Sequence, residues 1–144
     1  MTAVKAGWLF PSYRDGMNEK PVIDSGAATI VSLADQTKFA PNGIVSRTLL
    51  RTATSRVVLF GFAEGQELTE HTSTQHAAVQ ILSGECVFSL AGKPHPVKAG
   101  DFIYMPPNLP HAVRATTQFS MLLTLSKPET NETASNFNLK NHDH

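Results

Sequence analysis

Two stretches of this chain set a histidine at a fixed distance from a glycine turn. Gly65 is separated from His71 by five residues, and Gly100 leads through Pro106 and Asn108 to His111. Neutral imidazole nitrogens are common ligands for zinc, iron, nickel and copper. Two histidines brought from separate strands into one small β-barrel would make half of a metal site. Function then turns on whether other residues supply the second half.

The elements that must position these histidines are short and β-like. From residue 28 onward, runs rich in β-branched and aromatic residues cover 29–33, 44–51, 56–63, 77–82, 86–90, 96–98, 102–105, 111–115 and 119–125. Turn signals such as Gly65, Gly84 and Gly92 recur every eight to twelve residues or so, a spacing that predicts an all-β sandwich or barrel. Asp35 to Phe39 has room for at most a short turn of helix. Residues 1–26 read as an irregular N-terminal arm interrupted by Pro11, Gly16, Pro21 and Gly26. Trp8, Leu9, Phe10 and Tyr13 give the arm apolar surface to dock on the domain or on a partner subunit. Residues 27–126 form the barrel domain, and the polar stretch 127–144, which holds His142 and His144, reads as a solvated tail.

A chain of 144 residues with 41% hydrophobic content fits one domain with a real core. Lys plus Arg and Asp plus Glu both number 12, and no run of like charges occurs, so neither nucleic acid nor an anionic membrane is the expected partner. The single cysteine, Cys86, has no internal disulfide partner and sits in an alternating segment as a small strand residue. No apolar run reaches 18 residues and no basic-then-apolar leader opens the chain. The expected setting is soluble and cytoplasmic.

The glycine-anchored turns and flanking histidines resemble the two motifs of the cupin superfamily, of the small single-domain, cupin 2 conserved-barrel type. The first motif is matched by Gly65, His71 and the closing Gly84; the second by Gly100, Pro106, Asn108 in a glycine slot, and His111. The resemblance covers about residues 44–125. It implies a jelly-roll β-barrel of two antiparallel sheets, often paired as a homodimer. It also implies a divalent transition metal in the barrel (zinc, iron, nickel, manganese or copper) and, for an enzyme, dioxygenase or isomerase chemistry. The chain departs from the family at three slots. Its second histidine falls at Ser73, its glutamate at Ala77, and the closing asparagine of the second motif at Ala115. His71 and His111 are what is left of the usual ligand set.

His76 is the nearest candidate to complete it. Strand alternation turns His76 away from the inward face of Ala77, but the preceding loop, Thr72 to Gln75, gives its imidazole a way to swing toward His71. Gln75 and Gln80 are weaker oxygen donors. The competing reading makes His71 and His111 hydrogen-bonded histidines in a polar barrel mouth. Glu70 adjoins His71 and should face the other way. Glu67 shares its parity but lies about 13 Å off along a strand at 3.3 Å per residue, so both carboxylates are expected in solvent. His95 is expected at the surface.

Alternation places Val79, Ile81, Phe102, Tyr104, Val113, Met121 and Leu123 inward. They line either a plain core or an apolar pocket for a small organic ligand, with Tyr104 as the proton donor to consider. Two functions follow. One is a metal-dependent cupin enzyme acting on a small molecule. The other is a non-catalytic small-molecule binding or sensing barrel without metal.

Overall fold

The structure, a computed structural model, describes residues 20–129. Trp8, Leu9, Phe10, Tyr13, His142 and His144 lie outside the described residues. Nine strands carry the fold: β1 (Ile44–Arg51), β2 (Ser55–Phe62), β3 (Glu67–His71), β4 (His76–Ser83), β5 (Glu85–Leu90), β6 (Lys93–Lys98), β7 (Phe102–Met105), β8 (His111–Ala115) and β9 (Phe119–Ser126). One helical turn, α1 (Leu33–Gln36), precedes them, opened by Ser32, whose hydroxyl accepts from the Asp35 N–H. It begins two residues earlier than the sequence predicts. Upstream of it, the Val22 and Ile23 N–H groups donate to the Thr48 and Leu49 carbonyls, tying the start of the described chain to β1.

The strands form two antiparallel sheets, ordered β1-β2-β9-β4-β7 and β3-β8-β5-β6. After β2 the chain changes sheet at almost every connection; only β1–β2 and β5–β6 are local hairpins. This is the jelly-roll arrangement. Every such crossing needs a turn. At Gly84, between β4 and β5, φ is +74° and a Cβ would collide with the Gln118 carbonyl oxygen, so only glycine fits without strain.

The core lies between the sheets. Phe60, Phe62, Phe88 and Phe119 are fully buried, and the cross-strand pair Phe62 and Phe119 stack with ring centroids 4.5 Å apart. On β4 the inward residues are Ala77, Val79 and Ile81. Their register partners decide the faces of β7 and β9: Val79 opposes Ile103 and Leu123, Ala77 opposes Met105 and Leu125.

That register corrects the expected facing of β7. Phe102 and Tyr104 pair with Gln80 and Ala78 on the outer face and are 64% and 52% exposed, while Ile103 and Met105 are buried. All four residues of β7 are apolar or aromatic, so the period of two carries no polarity contrast along this strand. Cys86 is buried on β5, opposite Val97 and Ala115, and His95 is exposed on β6.

Candidate functional site

His71 ends β3 and His111 begins β8, and the two are register partners. The next pair along the ladder is Leu68 with Val113. Three steps on β3 thus span two on β8, which puts one extra residue, a β-bulge, at Thr69–Glu70. Strict alternation would send His71 to solvent whenever Leu68 faces the core. The bulge brings both inside, at 0% exposure for Leu68 and 9% for His71. It also moves Glu67 to the outer face, so the parity expected between Glu67 and His71 does not hold. Glu67 and Glu70 are both exposed.

The two imidazoles are held alike. His71 Nδ1–H donates to the Thr69 carbonyl at 2.7 Å, and His111 Nδ1–H donates to the Leu109 carbonyl at 2.8 Å. A carbonyl oxygen only accepts, so each ring carries its proton on Nδ1, and each Nε2 bears the lone pair when the ring is neutral. The ring centroids are 4.2 Å apart with the planes at 59°. Burial lowers both pKa values below 6.5; the carbonyl bonds oppose that shift, and the charge of His111 adds to it at His71. Both rings are therefore neutral at pH 7, the form that binds metal. The approach to His111 depends on Asn108, which takes the glycine slot at φ +69° and donates its N–H to the Ser73 carbonyl at 2.6 Å. Asparagine is one of the few residues that tolerates this conformation.

A cavity of about 20 Å³ opens beside His111, room for one body the size of a water molecule. Ser73 and Ala77, the two departed ligand slots, line it together with His111. Of the residues expected inward, Val79, Val113, Met121 and Leu123 reach this cavity. Ile81 is buried elsewhere in the core. Phe102 and Tyr104 are on the outside, so Tyr104 is withdrawn as a proton donor to the interior.

His76 does not join the pair. It occupies the outer face of β4, where its Nε2–H donates to Glu129 Oε2 at 3.1 Å and its Nδ1 accepts from the Tyr104 hydroxyl at 2.7 Å. The strand begins at His76 itself, so alternation applies and the imidazole has no loop to swing on. Gln80 is exposed on the same outer face. Gln75 borders a separate groove with Arg51 and Lys127. Among the described residues no group of three or more His, Cys, Asp or Glu side chains could hold a metal ion.

Several inward residues escaped the sequence reading, among them Phe88 and Leu125, which also line the cavity. Met105 lines the cavity as the cross-strand partner of Ala77; only the β7 register reveals it. Arg56 is 6% exposed and donates from Nη2 to Thr48 Oγ1 at 3.2 Å. Its parity with Val58, Phe60 and Phe62 was the available signal.

Two antiparallel sheets wound as a jelly roll, with a histidine pair on adjacent strands at one end, define a small barrel of the cupin class. The cupin domain family model matches residues 58–125, and the chain belongs to the cupin superfamily, cupin 2 type. A conserved protein of unknown function from Streptococcus pyogenes is 30% identical, over 78% of this chain and 99% of its own, with a TM-score of 0.67. A cupin 2 conserved barrel domain protein from Leptotrichia buccalis is 35% identical, over 65% of this chain and 46% of its own, with a TM-score of 0.62. A cupin superfamily protein from Desulfitobacterium hafniense shares the fold at 22% identity, over 77% of this chain and 99% of its own, with a TM-score of 0.67. No curated protein matches the chain.

The four-ligand divalent site implied by the resemblance does not fit the residues present. Ser73 is buried and its hydroxyl accepts from the Gln75 N–H at 3.1 Å. Ala77 has no donor atom. The paired imidazoles, neutral and with both Nδ1 atoms fixed by carbonyls, fit a smaller, two-nitrogen site.

Proposed function

We propose that this cupin binds one metal ion through Nε2 of His71 and Nε2 of His111 and acts as a binding or sensing module. The observation that carries this reading is the matched pair of Nδ1–H bonds to carbonyls two residues upstream. A bond of this kind from Nδ1–H to a backbone carbonyl fixes tautomer and ring orientation in metal-ligating histidines. An ion held there supplies Lewis acidity. Oxygenase or isomerase activity would ask for more: space for a substrate and a proton-transfer group facing it. A cavity of about 20 Å³ and an outward Tyr104 favour binding over turnover, and a small organic ligand would meet the protein at the barrel mouth instead of inside it.

The test is metal stoichiometry on the full chain by native mass spectrometry. The protein is exposed in turn to zinc, iron(II), nickel, manganese, copper(II) and, anaerobically, copper(I). About one equivalent of at least one ion, lost in both His71→Ala and His111→Ala, is expected. Binding of none, or binding unchanged in both variants, overturns the proposal.

We also propose that the protein pairs with a second copy along β7. This edge strand of the five-stranded sheet presents Phe102 and Tyr104 to solvent, and an apolar edge is a ready template for strand or face pairing.

A further inference from the structure

Positive charge gathers where β1 turns into β2. Arg51 is the last residue of β1 and Arg56 the second of β2, and the two are register partners across the hairpin. Directly opposed strand residues share a face with Cβ atoms roughly 5 Å apart, and like charges placed there repel. Guanidinium groups keep their charge throughout the physiological range. Lys127 joins them: its N–H donates to the Thr54 carbonyl at 2.9 Å, which ties the exit of β9 to the hairpin. The hairpin is held in turn by the Thr52 N–H, which donates to the Ser55 carbonyl at 2.9 Å, and by Thr52 Oγ1, which accepts from the Ser55 N–H at 3.0 Å. Backbone hydrogen bonds thus keep the three basic residues together. They line a groove of about 190 Å³ with Thr54 and Gln75, and among the described residues that line it there is no carboxylate. The whole chain has 12 basic and 12 acidic side chains, so this excess is local.

We propose that this groove binds a small organic phosphate, with Arg51, Arg56 and Lys127 on the phosphate oxygens. A dianion between the opposed arginines turns their repulsion into attraction. Burial of Arg56, at 6% exposure, strengthens that attraction by thinning the water that would screen it. Its Nη2 donates to Thr48 Oγ1 at 3.2 Å, which fixes the plane of the fork. The number of oxygens separates phosphate from carboxylate. A carboxylate has two oxygens and one charge, which a single guanidinium fork fills. A phosphate monoester presents three oxygens and nearly two charges at pH 7, enough to meet two forks and an ammonium. The volume bounds the rest of the ligand. About 190 Å³ falls below the ~300–1,000 Å³ of pockets that take drug-sized molecules, and the other walls include the polar Thr54 and Gln75, so the organic part is small and polar. The groove shares no lining residue with the cavity beside His111, and the assignment does not depend on the metal reading.

The experiment is a calorimetric titration of the full chain with glycerol phosphate, inorganic phosphate and succinate, each in a low-salt amine buffer. Glycerol phosphate is expected to bind with a Kd of about 1 mM or tighter, and at least about tenfold more tightly than succinate. Arg51→Gln and Lys127→Gln, at half-buried and exposed positions, should each weaken it by about tenfold. Arg56→Lys keeps the charge and removes the fork, and should weaken it as well. Lys93→Gln takes away the same charge from β6 in the other sheet and should leave binding unchanged, as should His111→Ala. A thermal melt of each variant confirms folding. A Kd weaker than about 10 mM for both phosphates, succinate binding as tightly as glycerol phosphate, or wild-type affinity in folded Arg51→Gln and Lys127→Gln overturns the proposal. An equal loss in Lys93→Gln overturns it too, because the effect would then be one of overall charge. Inorganic phosphate binding more tightly than glycerol phosphate overturns the organic part of the ligand and leaves free phosphate as the occupant.

Discussion

His71 and His111 are register partners on adjacent strands, and a single extra residue on β3 is what lets both face the interior. Their rings stand 4.2 Å apart between centroids, each with its Nδ1 proton given to a carbonyl two residues upstream. The geometry makes each ring a hydrogen-bond donor on one side and a lone-pair donor on the other.

Protonating either ring sets a positive charge beside the other in a buried setting. Both pKa values lie below 6.5 in the folded protein, so between the folded value and 6.5 the unfolded chain binds more protons. Stability therefore rises with pH through that window, is fully present above 6.5 and is lost as pH falls through the folded values. The slope is at most about 1.4 kcal/mol per pH unit for each histidine. Urea denaturation of the metal-free protein from pH 4.5 to 7.5 should show it, and His111→Phe should flatten it. An equally steep slope in that variant would assign the effect to other groups.

Restoring the missing slots tests whether their loss is what removes a four-ligand divalent site. The pair Ser73→His and Ala77→Glu should gain zinc(II) or manganese(II) binding by about a hundredfold or more, since it adds one imidazole and one anionic oxygen. Without metal the same variant should be less stable by roughly 2–4 kcal/mol, because a carboxylate is buried where a methyl group fits. Calorimetric titration and thermal melts measure the two effects; no gain in divalent affinity would mean that the four slots do not converge.

Two turn positions have opposite tolerances. Gly84→Ala should destabilise by roughly 2–4 kcal/mol, from left-handed strain plus collision with the Gln118 carbonyl. Asn108 already holds φ +69°, so Asn108→Gly should change stability by less than about 0.5 kcal/mol, whereas Asn108→Val should cost about 1–2 kcal/mol. Denaturation midpoints for the three variants give the order directly.

Cys86 is buried and its thiol is pushed up to about 12 by burial, with the charge of Asp101 adding to the shift. The native protein should react with a disulfide reagent at pH 8 only on the time scale of unfolding, and stoichiometrically once denatured. Rapid labelling of the native fold would show that β5 opens locally.

An interface along β7 should be sensitive to charge at its centre. Phe102→Asp is at an exposed position, so the fold should survive it with little change in melting temperature while the mass in sedimentation falls from dimer to monomer. A wild-type monomer, or a dimer untouched by the substitution, would remove β7 from the interface.

Much of this was legible in the sequence, where contrast between neighbouring residues was strong. The alternation along β4 and β9, the β-branched and aromatic runs and the turn spacing point to a two-sheet β fold, and the motif spacing singles out His71 and His111 along with the losses at Ser73 and Ala77. Asn108 in a glycine slot is explained by its backbone angle. Tertiary structure decided what local pattern leaves ambiguous. Phe102 to Met105 has no polar residue to mark a face, so only pairing with β4 sends Tyr104 out and Met105 in. The bulge at Thr69–Glu70 is an extra residue that no period of two foretells, and it overturns the parity of Glu67 with His71. His76 depends on where β4 begins, which its hydrogen bonds to Tyr104 and Glu129 show. Cavity size is a sum over side chains from both sheets, so a set of apolar positions that reads as a ligand pocket closes down to the volume of one small ion.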